Sequence, residues 1–278
     1  MICNIVALVH WPLCHSARRG IEVVAKPKGV AITGIGRLLR RPWYGWWHFL
    51  QSTYSGREYA LAIPQGQRIF SPWFASVGGA FPDVLANVRE HGRLTVSPDR
   101  CYMLYHYAAE AGRRWPAAPM AECGVYTGGT AEVISQAATT ATLHLFDSFE
   151  GMPAETHPAR DYHAPGDFSN TSLGAVQERL KNRACEFHVG FMPDTFAEVA
   201  GVKDYSFIHV DVDIYTSVRD CVEYFWPRMA PGGVMIFDDY GFYPYRLAAR
   251  RAVDEFFDRV PEVVLALPTG QGLVVKDT

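Results

Sequence analysis

The chain has 278 residues, 49% of them hydrophobic, and a formal net charge of -3. That length accommodates one large α/β domain with a leader region, or two small domains, around a sizeable core. The charge gives no basic face of the kind nucleic-acid binding needs, and no apolar run approaches the ~18 residues that span a bilayer.

The segment Met1 to Cys14 is apolar but lacks a basic n-region and contains His10, so no signal peptide is expected and the cytoplasm is the default compartment. Six cysteines occur, Cys3, Cys14, Cys101, Cys123, Cys185 and Cys221, with no CxxC pair and no zinc-finger spacing. They read as scattered thiols in a reducing compartment.

Residues 1–95 show short apolar runs broken by Gly and Pro, with no sustained period, and are read as an N-terminal extension. Within it, Arg37, Arg40 and Arg41 precede Trp43, Tyr44, Trp46, Trp47, His48 and Phe49. Such a segment packs on the main domain or a second subunit, or docks on a membrane surface.

From about residue 98 the pattern becomes regular. Helices are expected over Cys101–Ala111, Thr130–Ala138, Leu173–Lys181, Val218–Phe225 and Leu247–Phe257. In the last of these Ala249, Ala252, Val253, Phe256 and Phe257 share one face. Strands are expected over Met120–Val125, Leu143–Phe146, Cys185–Val189, Phe207–Val212 and Val234–Phe237, and a closing hairpin joins Val263–Leu267 to Leu273–Val275. Residues 150–170 form a long loop rich in Pro, Gly, Asp and His.

Strands alternating with helices imply a doubly wound, mostly parallel sheet, here a seven-stranded Rossmann-like sheet with an antiparallel last strand, the pattern of class I methyltransferases. The domain is placed at 96–278. Ligands in such sheets bind at the carboxyl ends of the strands.

At the first of those ends, Glu122-Cys123-Gly124-Val125-Tyr126-Thr127-Gly128-Gly129-Thr130 joins a strand to a helix. Asp147 ends the next strand, where an acid hydrogen-bonds the ribose hydroxyls of a nucleoside. This arrangement suits S-adenosylmethionine; the G-x-G-x-x-G spacing of NAD proteins is absent. The candidate cofactor residues are Glu122, Gly124, Tyr126, Gly128, Asp147, Ser148 and Phe149. A structural turn with three glycines would look the same were the loop taken alone.

His209-Val210-Asp211-Val212-Asp213 ends one strand and Asp238-Asp239 the next. Period-2 alternation would send Asp211 and Asp213 to one side. Four carboxylates on adjacent strand ends are costly without a cation, and all-oxygen ligands suit Mg²⁺, Mn²⁺ or Ca²⁺. Asp211, Asp238 and Asp239 are assigned to the metal and Asp213 to the general base, with His209 and His163 as alternative bases. For either histidine alone a structural role is the simpler reading.

These segments resemble the macrocin O-methyltransferase family, which methylates sugar hydroxyls of glycosides. The matching stretches are Glu122 to Thr130 (ECGVYTGGT), Asp147 to Pro153 (DSFEGMP), Gly166 to Ser172 (GDFSNTS) and Gly190 to Thr195 (GFMPDT). His209 to Tyr215 (HVDVDIY), Pro231 to Gly241 (PGGVMIFDDYG) and Arg250 to Phe256 (RRAVDEF) complete the set. The resemblance implies Mg²⁺-dependent O-methylation, with Asp211, Asp238 and Asp239 on the metal, Asp213 as base, Asp147 on the ribose and the 150–170 loop over the site. It also implies a small-molecule or glycan acceptor and an N-terminal region that shapes the acceptor pocket and subunit contacts, so a homo-oligomer is possible. Two rivals remain at this level: a glycosyltransferase reading Asp211-Val212-Asp213 as a metal-binding DxD, and a non-catalytic member that binds S-adenosylmethionine.

Overall fold

The computed structural model describes residues 80–277. The Trp43 to Phe49 segment falls outside the described residues.

Two helices come first, α1 (Phe81–His91) and α2 (Pro98–Arg114). Helix α1 has its buried residues at Phe81, Val84, Leu85 and Val88, an i, i+3, i+4, i+7 stripe in a region where the sequence shows no sustained period. Helix α2 is longer than the expected Cys101–Ala111 because Ser97 caps it, its side chain accepting from the Arg100 N–H, and Pro98 opens its first turn.

The sheet then alternates with helices: β1 (Met120–Cys123), α3 (Gly129–Ala137), β2 (Leu143–Asp147), α4 (Leu173–Arg179) and β3 (Cys185–Val189). After a 3-10 turn over Asp194–Val199 follow β4 (Tyr205–Val210), α5 (Tyr215–Phe225), β5 (Met229–Phe237) and α6 (Ala249–Phe257). The hairpin of β6 (Leu265–Ala266) and β7 (Gly272–Val275) closes the chain.

The seven strands lie in the order β3-β2-β1-β4-β5-β7-β6. Strands β1 to β5 pair in parallel, while β7 runs antiparallel to both β5 and β6, as expected from the sequence. Both faces are covered. Met120, Leu143, Leu145, Phe207 and Ile236 pack with α1 to α4; Ala121, Phe146, Ile208, Met235 and Phe237 pack with α5 and α6. On α6, Ala249, Ala252, Val253 and Phe257 are buried and Phe256 packs partly against the same core.

Two element bounds differ from expectation in ways that matter. Strand β5 begins at Met229 rather than Val234, because the Pro-Gly-Gly that reads as a turn pairs with the last strand: Gly232 N–H donates to Lys276 O at 2.8 Å and Lys276 N–H to Gly233 O at 2.9 Å. Strand β4 stops at Val210, two residues early, so Asp211 and Asp213 lie in the turn beyond it. The register Cys123↔Phe146, Cys123↔Val210 and Val210↔Phe237 aligns four strand ends, and the residues that follow them, Gly124, Asp147, Asp211 and Asp238, share one rim.

Candidate active site

The glycine loop is held by the acid after β2. Asp147 Oδ2 accepts from the N–H groups of Val125 (2.7 Å) and Tyr126 (2.8 Å), and its Oδ1 from Phe149 N–H at 2.7 Å. Asp147 therefore shapes the loop first. Its Oδ1, with one donor, keeps acceptor capacity for a ribose hydroxyl. Tyr126 and Phe149 both adopt positive φ (50° and 54°), conformations rare for such residues and retained where surroundings over-determine them.

Gly124 is obligatory for a reason of space: a side chain there would collide with the carbonyl oxygen of Asp211, across on the end of β4. The glycine loop and the aspartate turn are thus in backbone contact, and Asp211 N–H donates to Cys123 O at 2.8 Å. Gly128, at φ 76°, starts α3 in the left-handed region. The Tyr126 hydroxyl accepts from Arg93 at 2.8 Å and donates to Asn170 at 3.1 Å, and Ser148 Oγ accepts from Glu150 N–H at 3.1 Å. These contacts fix the cradle's shape, and the loop and Asp147 fit a nucleoside cofactor.

Glu122 is different. It is buried inside β1 and its Oε1 lies 2.8 Å from His209 Nδ1, its register neighbour on β4. On its other side His209 Nε2 lies 3.5 Å from Asp238 Oδ1. Burial opposes a charge on His209, but Asp238 and Glu122 outweigh it and hold the imidazolium up to about 10. Buried between two carboxylates, His209 is held as their structural partner and lies out of reach of solvent.

The four aspartates separate into two environments. Asp238 is held by the protein: Arg100 of α2 donates to its Oδ2, and Gln271 Nε2 donates to its Oδ1 at 2.9 Å. Burial works against its charge, yet Arg100 and His209 keep its carboxyl below the ordinary range. Asp211, Asp213 and Asp239 instead face one another, each offering an oxygen within 4.8 Å of the other two. Burial first, and Asp238 and Asp239 second, push Asp211 well up; burial and then Asp213 do the same to Asp239. Asp213 is pushed up to about 7 by burial and by Asp211. Mutual repulsion in a largely buried, all-oxygen cluster is the condition a hard divalent cation relieves, and this donor set fits one. His209, Asp211 and Asp238 form a second, overlapping group.

Strand alternation does not bring Asp211 and Asp213 together. The chain has left β4, and Asp213 at φ 57° turns its carboxylate back toward Asp239. The long loop reaches the same point. His163 is buried, with its Nε2 2.9 Å from the Tyr245 hydroxyl and 3.5 Å from Asp213 Oδ1. Burial lowers its pKa and Asp167 only partly opposes this. Asp161 anchors the loop: its Oδ1 accepts from Tyr215 N–H at 3.0 Å, capping α5, whose own Ile214 offers no side-chain cap.

Arg100, Gln271, Tyr245 and Asp161 were not among the sequence candidates. Only Asp161 carried a local hint, an acid in a loop. The others sit on a helix and in turns with nothing nearby in sequence to mark them.

The strand order, the glycine loop under an acid-ended β2 and the rim of aspartates define a class I methyltransferase fold. The sequence model of the macrocin-O-methyltransferase (TylF) family matches residues 116–261, and the chain belongs to that family. It is 30% identical over 174 residues to the mycinamicin III 3''-O-methyltransferase of Micromonospora griseorubida, covering 56% of this chain and 66% of that protein. It is also 30% identical over 156 residues to a tetracenomycin-C 4'-O-methyltransferase of Streptomyces olivaceus, covering 50% of this chain and 58% of that protein. The chain thus spans less than two thirds of the length of these curated relatives, 66% of one and 58% of the other. The solved structure of the O-methyltransferase NovP shares the fold at a TM-score of 0.58 and 21% identity, covering 67% of this chain and 83% of that one. Among the described residues no helix is long and apolar enough to cross a membrane.

Proposed function

We propose that this chain transfers a methyl group from S-adenosylmethionine to a hydroxyl of a sugar, on a natural product or glycan, with a divalent cation of the Mg²⁺ type at its acid rim. The observation that carries the reading is the convergence of Asp211, Asp213 and Asp239 on the rim that also holds the glycine loop, with the two turns in backbone contact. In this reading the methyl donor in the glycine-loop cradle and the acid cluster stand side by side, as an in-line displacement requires. The relatives support the acceptor class: one is a mycinamicin III 3''-O-methyltransferase, and the other is a 4'-O-methyltransferase of a dimethoxyrhamnosyl tetracenomycin.

In this reading Asp147 Oδ1 takes a ribose hydroxyl, and Gly124, Tyr126, Gly128, Ser148 and Phe149 form the cradle wall. Glu122 contributes from behind it, by fixing His209. Asp211, Asp238 and Asp239 hold the cation and Asp213 receives the acceptor's proton. When bound, the cation lowers the hydroxyl's pKa and orients vicinal oxygens. His163, 3.5 Å from Asp213, is placed to take the proton onward under the closed loop. Residues 1–95, outside the matched segment, are assigned the acceptor pocket and any subunit contacts.

A second reading of the ligand set has an observation in its favour. Arg100 and Gln271 already occupy Asp238, whereas Asp213 stands with Asp211 and Asp239. Asp213 would then be a ligand and Asp238 the group that positions Arg100 and His209. Calorimetric titration of S-adenosylmethionine and then Mg²⁺ into wild type, Asp238→Asn and Asp213→Asn tests both. Cofactor binding in all three proteins, with Mg²⁺ lost in Asp238→Asn alone, supports the first assignment; loss in Asp213→Asn alone supports the second. Failure of well-folded wild type to bind S-adenosylmethionine would overturn the function itself and favour a sugar nucleotide on Asp211 and Asp213.

A further inference from the structure

A second cluster of metal-ligating groups lies at the β2–β3 edge of the sheet, separated from the aspartates of β4 and β5 by β1. His144 on β2 is the register partner of Glu186 on β3, and Phe146 is that of His188. Alternation along parallel strands therefore puts His144, Glu186 and His188 on one face of the sheet. It is the face that packs Phe146, Phe196 and Tyr205, and the His188 ring stacks on Phe146 with centroids 4.5 Å apart. Cys185 packs with the opposite core and takes no part.

We propose that His144, Glu186 and His188 form a binding site for a borderline divalent transition ion of the zinc class, separate from the active site and independent of the function proposed above. One ligand atom from each of the three residues lies within 4.8 Å of the other two. His144 Nδ1 is 3.1 Å from His188 Nε2 and 3.5 Å from Glu186 Oε2. Ligand atoms ~2.0–2.1 Å from a tetrahedral zinc ion stand roughly 3.3–3.4 Å apart, so these two separations bracket the value such an ion needs.

The surroundings add what an isolated pair of histidines lacks. His188 Nδ1 lies 2.8 Å from Glu198 Oε2 on the 3-10 turn Asp194–Val199. That contact directs the ring proton to Nδ1 and leaves the Nε2 lone pair facing His144, which is the carboxylate–histidine–metal arrangement that orients zinc ligands. Both imidazoles are buried while the Glu186 side chain is 61% exposed, which gives an ion a route in from solvent and leaves a coordination position for water. Two nitrogens and one carboxylate oxygen select imidazole-loving ions over Mg²⁺ or Ca²⁺. A bound ion would clip edge strand β3 to β2, three residues before Asp147, and through Glu198 hold the 3-10 turn against β3.

The test uses the full chain, stripped of metal with a chelator and then kept in excess Mg²⁺ so that an all-oxygen centre is filled. Zn²⁺ is titrated by calorimetry and Co²⁺ by its visible absorption. The expected result is one Zn²⁺ equivalent that Mg²⁺ does not displace, and an intense tetrahedral Co²⁺ spectrum. Binding should be lost in His144→Gln and His188→Gln and weakened ~10–100-fold in Glu198→Gln, the cost typical of removing a ligand's orienting partner. It should remain unchanged in Asp239→Asn. Glu186→Gln, at an exposed position that folding does not depend on, should also weaken Zn²⁺ at least ~10-fold if the carboxylate is a ligand. Absence of a Mg²⁺-resistant equivalent in the wild type would overturn the proposal. So would an equivalent that survives in Glu186→Gln and disappears in Asp239→Asn.

Discussion

Two groups of buried charge in this protein are built on opposite plans. Glu132, inside α3, is surrounded by donors: His91 Nδ1 at 2.6 Å and Gln136 at 3.1 Å on one oxygen, Arg179 Nε at 2.8 Å on the other. Arg179 donates three of its remaining N–H groups to the carbonyls of Val88 (2.7 Å), Arg93 (2.9 Å) and Thr127 (3.1 Å). It thereby ties α1, the following loop and the glycine loop to α3. At the rim, Asp211, Asp213 and Asp239 are turned toward one another, and the nearby cation Arg100 bonds Asp238 and reaches Asp239 only at 3.8 Å. A buried charge with every partner supplied holds a fold together. A buried cluster of like charges is stable only as far as something else binds it, and such clusters mark functional sites.

Removing one charge from each group should have opposite consequences. Asp213→Asn is expected to lower kcat by ~10²–10⁴ for an acceptor found by screening glycosides with labelled S-adenosylmethionine, the range for loss of a general base. Without divalent ions its thermal midpoint should hold or rise, because a repelled carboxylate is gone. Glu132→Ala should leave Arg179 buried and unpaired and cost ~3–5 kcal/mol in denaturant unfolding, with the response to Mg²⁺ unchanged. A midpoint that falls equally in the two variants would show that the rim is as structural as the Glu132 group.

pH separates them further. Asp213 has an ordinary carboxyl value of 3.8 and is held up to about 7 in the folded chain, so the native state binds the extra proton. That contribution favours folding below the unfolded value and is lost as pH rises through about 7. Ion-free protein should therefore lose stability between pH 4 and 7 on this account. Mg²⁺ at about 100 times its Kd should return ~2.7 kcal/mol at neutral pH and little at pH 4, where its ligands are protonated. Thermal scans with and without Mg²⁺ across that range measure both; a Mg²⁺ effect independent of pH would remove the acid cluster as its site.

The same contrast governs how much the sequence reveals. The sheet was legible because both faces of β1, β2 and β4 are buried, and short apolar runs ended by Gly or Asp are local signals. The aspartates were legible because HVDVDIY and DDYG follow such runs directly. Their mutual geometry was not, since Asp213 depends on a left-handed turn rather than on alternation. The compensating partners were hidden by distance along the chain: Arg100 meets Asp238 across 138 residues and Arg179 meets Val88 across 91. Helix α1 carried a readable stripe, but with Pro82 in its first turn it followed a region without a period.

The smallest expected effect concerns the join between loop and rim. Asp161 is buried, and its two oxygens serve two distant backbone sites, His157 N–H at 2.7 Å within the loop and Tyr215 N–H at 3.0 Å at the start of α5. Arg160 adds its guanidinium over the Tyr215 ring, 4.5 Å from the centroid. Asp161→Ala removes a helix cap and should cost ~1 kcal/mol, within the ~0.5–2 kcal/mol seen for such caps. That loss is modest beside the Glu132 group because Tyr215 N–H can turn to water once the loop lifts. The functional loss should exceed the structural one, since His163 is two residues away and reaches Asp213 only while the loop is down. KM for the acceptor is then expected to rise together with a fall in kcat, while S-adenosylmethionine affinity stays close to wild type. A variant that loses cofactor binding and acceptor turnover equally would place Asp161 in the general stability of the domain rather than in closure over the site.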